Sequence, residues 1–157
     1  METSSFLVLV GFLAANFATA LSGAYFMPGE WYRGLVKPSW NPPDWAFGPA
    51  WAVLYVTIAV SGWLVWREAG FAGAAVAFAI YVVQLLFNAG WSAVFFGMKR
   101  MDLAFIEVIG LWLSILSTII AFWPISTAAA LLLLPYLAWV TFAATLNFTI
   151  WRLNVVN

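Results

Sequence analysis

The chain has 157 residues, 66% of them hydrophobic and only 8% charged. A soluble domain is typically just under half apolar and about a quarter charged, and a chain of this length has no water-soluble way to bury so much apolar surface. Six basic and six acidic residues cancel, which leaves no basic footprint for nucleic acid. The absence of cysteine and histidine removes disulfides, thiolate nucleophiles, iron–sulfur clusters, the usual zinc and haem ligands and the usual general base. No metal site is expected, and no cofactor is required.

In chain order, the charges divide the sequence into apolar blocks long enough for the roughly 20 residues of a spanning helix. These blocks predict five spans, at about 5–26, 44–66, 71–97, 102–122 and 127–152. Together they make one all-α membrane domain, 1–157, with a long ordered loop between the first two helices. The head of the first span, Met-Glu-Thr-Ser-Ser, has no positive charge, so it reads as a retained helix rather than a signal peptide. Met27–Pro43 holds Pro28, Gly29, Gly34, Pro38, Pro42 and Pro43 among several aromatics and reads as a folded cap. Asn41 or Asp44 is placed to cap the second span, and Asp102 the fourth. Trp123-Pro124-Ile125-Ser126-Thr127 is the break between the last two spans, because a proline stops the helix there. Arg33, Lys37, Lys99, Arg100 and Arg152 fall on one side and Arg67 on the other. The positive side is cytoplasmic by rule, which puts the N-terminus outside and the C-terminus inside. Trp31, Trp40, Trp45, Trp63, Trp66, Trp123 and Trp151 fall near span ends, as belt residues do.

Polar side chains inside spans are costly unless they face a partner or a cavity. On the third span, helical geometry puts Tyr81, Gln84, Asn88, Ser92 and Phe95 on one stripe. Nearly opposite lie Ala72, Ala75, Ala79, Val83, Leu86 and Gly90, a small-residue face suited to close approach by a second copy or to lipid. The second span aligns Trp51, Tyr55, Ile58 and Gly62; the fifth aligns Pro135, Trp139, Phe142 and Leu146, with Ala143 beside them. Pro135 is expected to kink its helix. Two deep tryptophans with a tyrosine suit the walls of a pocket for a flat polycyclic ligand, and equally suit plain helix packing. Glu107 stands alone, little more than one turn into the fourth span, and is expected to be solvated near the interface.

The segment WYRGLVKPSWNPPDWAFGPAWAVLY (Trp31–Tyr55) closely resembles the TspO/MBR family, known as translocator protein, tryptophan-rich sensory protein or peripheral benzodiazepine receptor. QLLFNAGWSAVFFG (Gln84–Gly97), LPYLAWVTFAATLN (Leu134–Asn147) and WRLN (Trp151–Asn154) agree in order and spacing. The resemblance implies a five-helix bundle, usually a homodimer, in a bacterial membrane or, in a eukaryote, the mitochondrial outer membrane. It implies a cavity under the long loop for porphyrins, cholesterol and benzodiazepine-type drugs. By the same resemblance Trp51 and Tyr55, then Asn88, Trp91 and Ser92, then Trp139 and Ala143 contact the ligand, and Tyr32 closes over it. The small face of the third span becomes the expected dimer contact. One departure stands out: in the family's proposed cholesterol motif, Leu146 and Arg152 are present but Phe148 replaces the tyrosine. Tetrapyrroles are therefore the ligand expected ahead of sterols. Binding or transport is the first functional reading. Light- and oxygen-dependent porphyrin degradation begun at Trp51 is the second, and stress sensing through partner proteins the third.

Overall fold

The computed structural model describes residues 2–155. Within them the chain is helical, with α1 (Glu2–Tyr25), α2 (Glu30–Gly34), α3 (Phe47–Gly73), α4 (Ala75–Ser92), α5 (Met101–Phe122), α6 (Thr127–Leu132) and α7 (Leu134–Val155). A 3-10 turn, Asp44–Ala46, leads into α3, and a π-helical turn, Ala93–Gly97, ends α4. Five stretches are long and apolar enough to cross a membrane: Ser4–Tyr25, Asp44–Gly73, Ala75–Gly97, Met101–Phe122 and Thr127–Val155. Their outer faces carry exposed Phe6, Leu21, Val76, Leu86, Ile106 and Ile120, a surface that suits acyl chains and not water.

Three local features depart from the expected boundaries. The second span runs past Arg67 and Glu68 to Gly73, and its kink falls at Gly70, whose φ is 64°. A side chain is strained at that angle; glycine is not. Neither Asn41 nor Asp44 caps α3, and Asp102 sits in the first turn of α5, where Arg100 takes the cap position and pairs with it at 2.6 Å. The break before α6 falls where the turn around Pro124 put it, with the Ser126 hydroxyl accepting the Ala129 N–H. Within the fifth span a turn at Leu133, two residues before Pro135, divides a single rod into α6 and α7.

Around the bundle the order is α3, α1, α4, α5 and then the α6–α7 rod, which returns to α3. Two close approaches fix the neighbours. An added Cβ at Gly62 would lie 2.7 Å from the Phe12 ring, and one at Gly110 2.7 Å from the Phe87 ring. In the half of the bundle away from the long loop, Ile58, Ala59, Val65, Ile115, Phe122, Ala129 and Ala130 form a dense core with almost no exposure. There Ser61 on α3 donates to the Ala129 carbonyl of α6 at 2.8 Å. The ring is thus sealed at that end by α6 against α3. At the loop end α3 and α7 touch only sparsely.

Candidate functional site

The hollow part of the bundle lies at the loop end. It holds a cavity of about 550 Å³, walled by α1, α3, α4, α5 and α7 and reached by the loop, a volume typical of small-molecule sites. Tyr32, Trp51, Tyr55, Asn88, Trp91, Ser92, Trp139 and Ala143 all line it. The structure thus brings these eight positions, drawn from the loop and three helices, to one place.

The aromatic walls are set by ring contacts. Trp51 stacks on Tyr55 with centroids 5.5 Å apart and meets Trp139 edge-on at 6.5 Å. Trp91 stacks on Phe95 at 5.0 Å, and its indole N–H donates to the Asn147 Oδ1 at 3.2 Å. The lid comes from α2. Tyr32 is buried to 4% exposure, edge-on to Phe95 and Phe96, with the Lys37 ammonium 4.5 Å from its ring centroid. Asn154, near the end of α7, ties the loop down by accepting the Val36 N–H at 3.0 Å and donating to its carbonyl at 2.9 Å. Burial, with the Asp44 carboxylate nearby, holds the Tyr32 phenol above its usual range, against the lowering effect of its bond to Asn41.

Below the aromatic walls the floor is polar. The Tyr55 hydroxyl donates to Asn88 Oδ1 at 2.7 Å, Asn88 Nδ2 donates to the Tyr136 hydroxyl at 2.7 Å, and Tyr136 donates to Gln84 Oε1 at 3.0 Å. Each member is fixed by the next, so the cavity presents Tyr55 and Asn88 in a single arrangement. Tyr136, wholly buried, is the hub that the sequence reading missed. The available signal was a second stripe on α7, Tyr136, Val140, Asn147 and Ile150, all buried.

Other expectations need correction. Of the stripe chosen on the fifth span, Trp139 and Leu146 reach the cavity, whereas Pro135 and Phe142 line a groove on the outside of the bundle. The face that points in is that of Tyr136, Val140, Asn147 and Ile150, one residue further round the helix. Glu107 is not solvated: both carboxyl oxygens are buried without a hydrogen-bond partner among the described residues, and an added Cβ at Gly90 would lie 3.0 Å from one of them. That contact turns Gly90 partly towards α5, while Ala72, Ala75, Ala79, Val83 and Leu86 are exposed on the outer surface. Among the described residues no three acidic, histidine or cysteine side chains gather as a metal site would require.

Five membrane-length apolar helices around an aromatic, mostly apolar cavity, with the first long loop tied down over it, define the class: a multi-span helical membrane protein. Residues 5–152 match the model of the TspO/MBR family. The chain is 46% identical over 143 residues to a tryptophan-rich sensory protein of Cereibacter sphaeroides, covering 91% of this chain and 89% of that one. It is 40% identical over 152 residues to protein CrtK of Rhodobacter capsulatus, with 94% and 92% covered. To the translocator protein of Homo sapiens it is 39% identical over 150 residues, with 92% and 89% covered. The chain belongs to the TspO/MBR family and is a multi-pass membrane protein.

Proposed function

We propose that this protein binds flat, hydrophobic ligands, porphyrin-type tetrapyrroles first among them, and carries them within the membrane. The observation that supports this best is the loop-end cavity, where Trp51, Trp91 and Trp139 offer ring faces and edges around the Tyr55–Asn88 anchor. Stacking and apolar burial together supply micromolar affinity, about 8 kcal/mol. No histidine or cysteine is available to ligate iron, so metal-free porphyrin binds at least as well as haem. Benzodiazepine-type drugs share the flat aromatic shape that this cavity favours. Sterol fits less well: Phe148 points to the outer surface, its ring against Phe105 at 5.2 Å and Trp151 at 6.1 Å, away from the cavity walls. We assign the exposed small face of α4 (Ala75, Ala79, Val83, Leu86), with Ala72 at the end of α3 beside it in sequence, to a homodimer contact, and the N-terminus to the outer side of the membrane.

The test is a dark titration of purified protein with protoporphyrin IX, followed by its absorption band, beside Trp51→Phe and Asn88→Ala. Saturable binding that weakens in both variants supports the reading. Binding that is absent, or indifferent to both changes, contradicts it. One observation favours a second reading, light-dependent degradation: the Trp51 ring faces the cavity while stacked on Tyr55, within reach of a photosensitising ligand. Under light and oxygen, a product yield unchanged in Trp51→Phe would exclude a role for that ring.

A further inference from the structure

We propose that the cavity ligand enters and leaves sideways, from the acyl region of the bilayer between α3 and α7, and that Trp139 is the gate. This rests on the ligand reading above. The bundle ring is sealed by α6 at the far end, but towards the loop end α3 and α7 touch only sparsely. Between them lies an outer groove, with Pro49, Ala50 and Val53 on the α3 wall and Pro135, Ala138 and Phe142 on the α7 wall. Trp139 lines this groove and the internal cavity alike. A single half-buried side chain therefore fills the gap between the membrane and the site.

Three features suit that side chain to movement. First, ring contacts hold it: Phe142 at 5.6 Å, Phe47 at 6.0 Å and Trp51 at 6.5 Å. Its indole forms no hydrogen bond among the described residues, in contrast to Trp63, Trp91 and Trp112, whose N–H groups are bound to Ser5, Asn147 and Thr141. A rotamer change thus breaks no polar bond. Second, empty space lies on both sides of the ring, so there is somewhere for it to go. Third, a turn at Leu133 interrupts the rod just before α7, and Pro135 has no N–H to tie that turn to the one before.

Chemistry favours this route over the loop. The six groove residues named are apolar, so a ligand dissolved among acyl chains meets no desolvation barrier there. The loop rim presents the Asp44 carboxylate and is covered by buried Tyr32. A ligand taking that path crosses charge and displaces a packed lid.

The experiment uses the full chain in lipid nanodiscs with protoporphyrin IX, following tryptophan quenching by stopped flow. Ala138→Phe fills the groove from outside without entering the cavity; Val53→Phe does so from the opposite wall and stands in if the first variant fails to fold. Blocking a path changes a barrier and not an end state. Association and dissociation should therefore slow together, by about tenfold or more, with Kd unchanged. Trp139→Ala should speed both. Rates equal to wild type in the groove-filling variants, together with altered rates in Tyr32→Ala, would overturn the lateral route in favour of the loop. Absence of saturable binding in the wild type would instead overturn the ligand reading, and the gate with it.

Discussion

The two halves of this bundle use the same helices to opposite ends. In the far half, α6 presents Ala129 and Ala130, both fully buried, so it closes on α3. Polar groups there are satisfied mostly on nearby backbone: Thr118 bonds the Ser114 carbonyl at 2.8 Å, and Tyr81 the Ile58 carbonyl at 3.1 Å. At the loop end tryptophans take the corresponding wall positions, the helices stand apart, and polar side chains bind one another through Tyr55, Asn88, Tyr136 and Gln84. A dense membrane core needs small residues at the contact. A pre-formed cavity needs large rigid walls and a polar floor whose groups bind one another, as Tyr55, Asn88, Tyr136 and the Gln84 Oε1 do here; only the Gln84 Nε2 of that chain lacks a partner among the described residues, and an unpaired buried amide costs about 1–3 kcal/mol.

The same substitution in the two halves breaks the comparison most sharply. Ala129→Phe overfills the far core and should cost about 1–3 kcal/mol or more, visible as a lower melting temperature by circular dichroism in detergent. Ala143→Phe, on the cavity wall, should leave the melt near wild type and weaken porphyrin binding by at least about tenfold, by occupying the ligand's space. Equal loss of stability in both variants would mean the cavity is not pre-formed.

Tyr136→Phe comes next. It leaves Asn88 Nδ2 and Gln84 Oε1 without their phenol partner, at about 1–2 kcal/mol of stability. Affinity should fall a few-fold, because Asn88 is no longer held in one orientation. Unchanged affinity would show that the floor is structural only.

Much of this division was legible beforehand. Long charge-free blocks fixed the number of spans, since hydrocarbon tolerates few charges, and Pro124 after Phe122 located a helix stop that α5 and α6 respect. The inward stripe of α4 was readable because Gln84 and Asn88 are expensive anywhere else. The rest escaped for identifiable reasons. Arg67 and Glu68 mark where α3 leaves the apolar layer, not where its hydrogen bonds end, so the helix outran the charge boundary. On α7 the stripe read from the sequence lay one residue away from the face that points in: Tyr136, Val140, Asn147 and Ile150 are buried, while Pro135 and Phe142 line the outer groove. Burial of Glu107 depends on Gly90 of another helix, and no pattern within α5 reveals that.

Two smaller effects sharpen the description of the loop end. Asp44→Asn removes the carboxylate from the cavity rim and should tighten anionic porphyrin by up to about fivefold at low salt, the range of an exposed charge contact. The gain should shrink at high salt; a gain independent of salt would point to another cause. The smallest effect concerns Tyr32. Its phenol is held above the usual value of about 10 by burial, so the unfolded or undocked form ionises first. The stability this group lends to the lid is complete below pH 10 and declines as pH rises from there towards the folded-state value. Porphyrin dissociation should therefore quicken above pH 10, and in Tyr32→Phe that pH-dependence should vanish; its persistence would locate the titration elsewhere.

The most direct measurement is a crystal structure of the full chain in lipid with protoporphyrin IX. The predicted result is a single macrocycle inside the bundle, bounded by Trp51 and Trp139, with Asn88 beneath it and Tyr32 above. A macrocycle found only on the outer surface, with the cavity filled by side chains, would contradict the central claim.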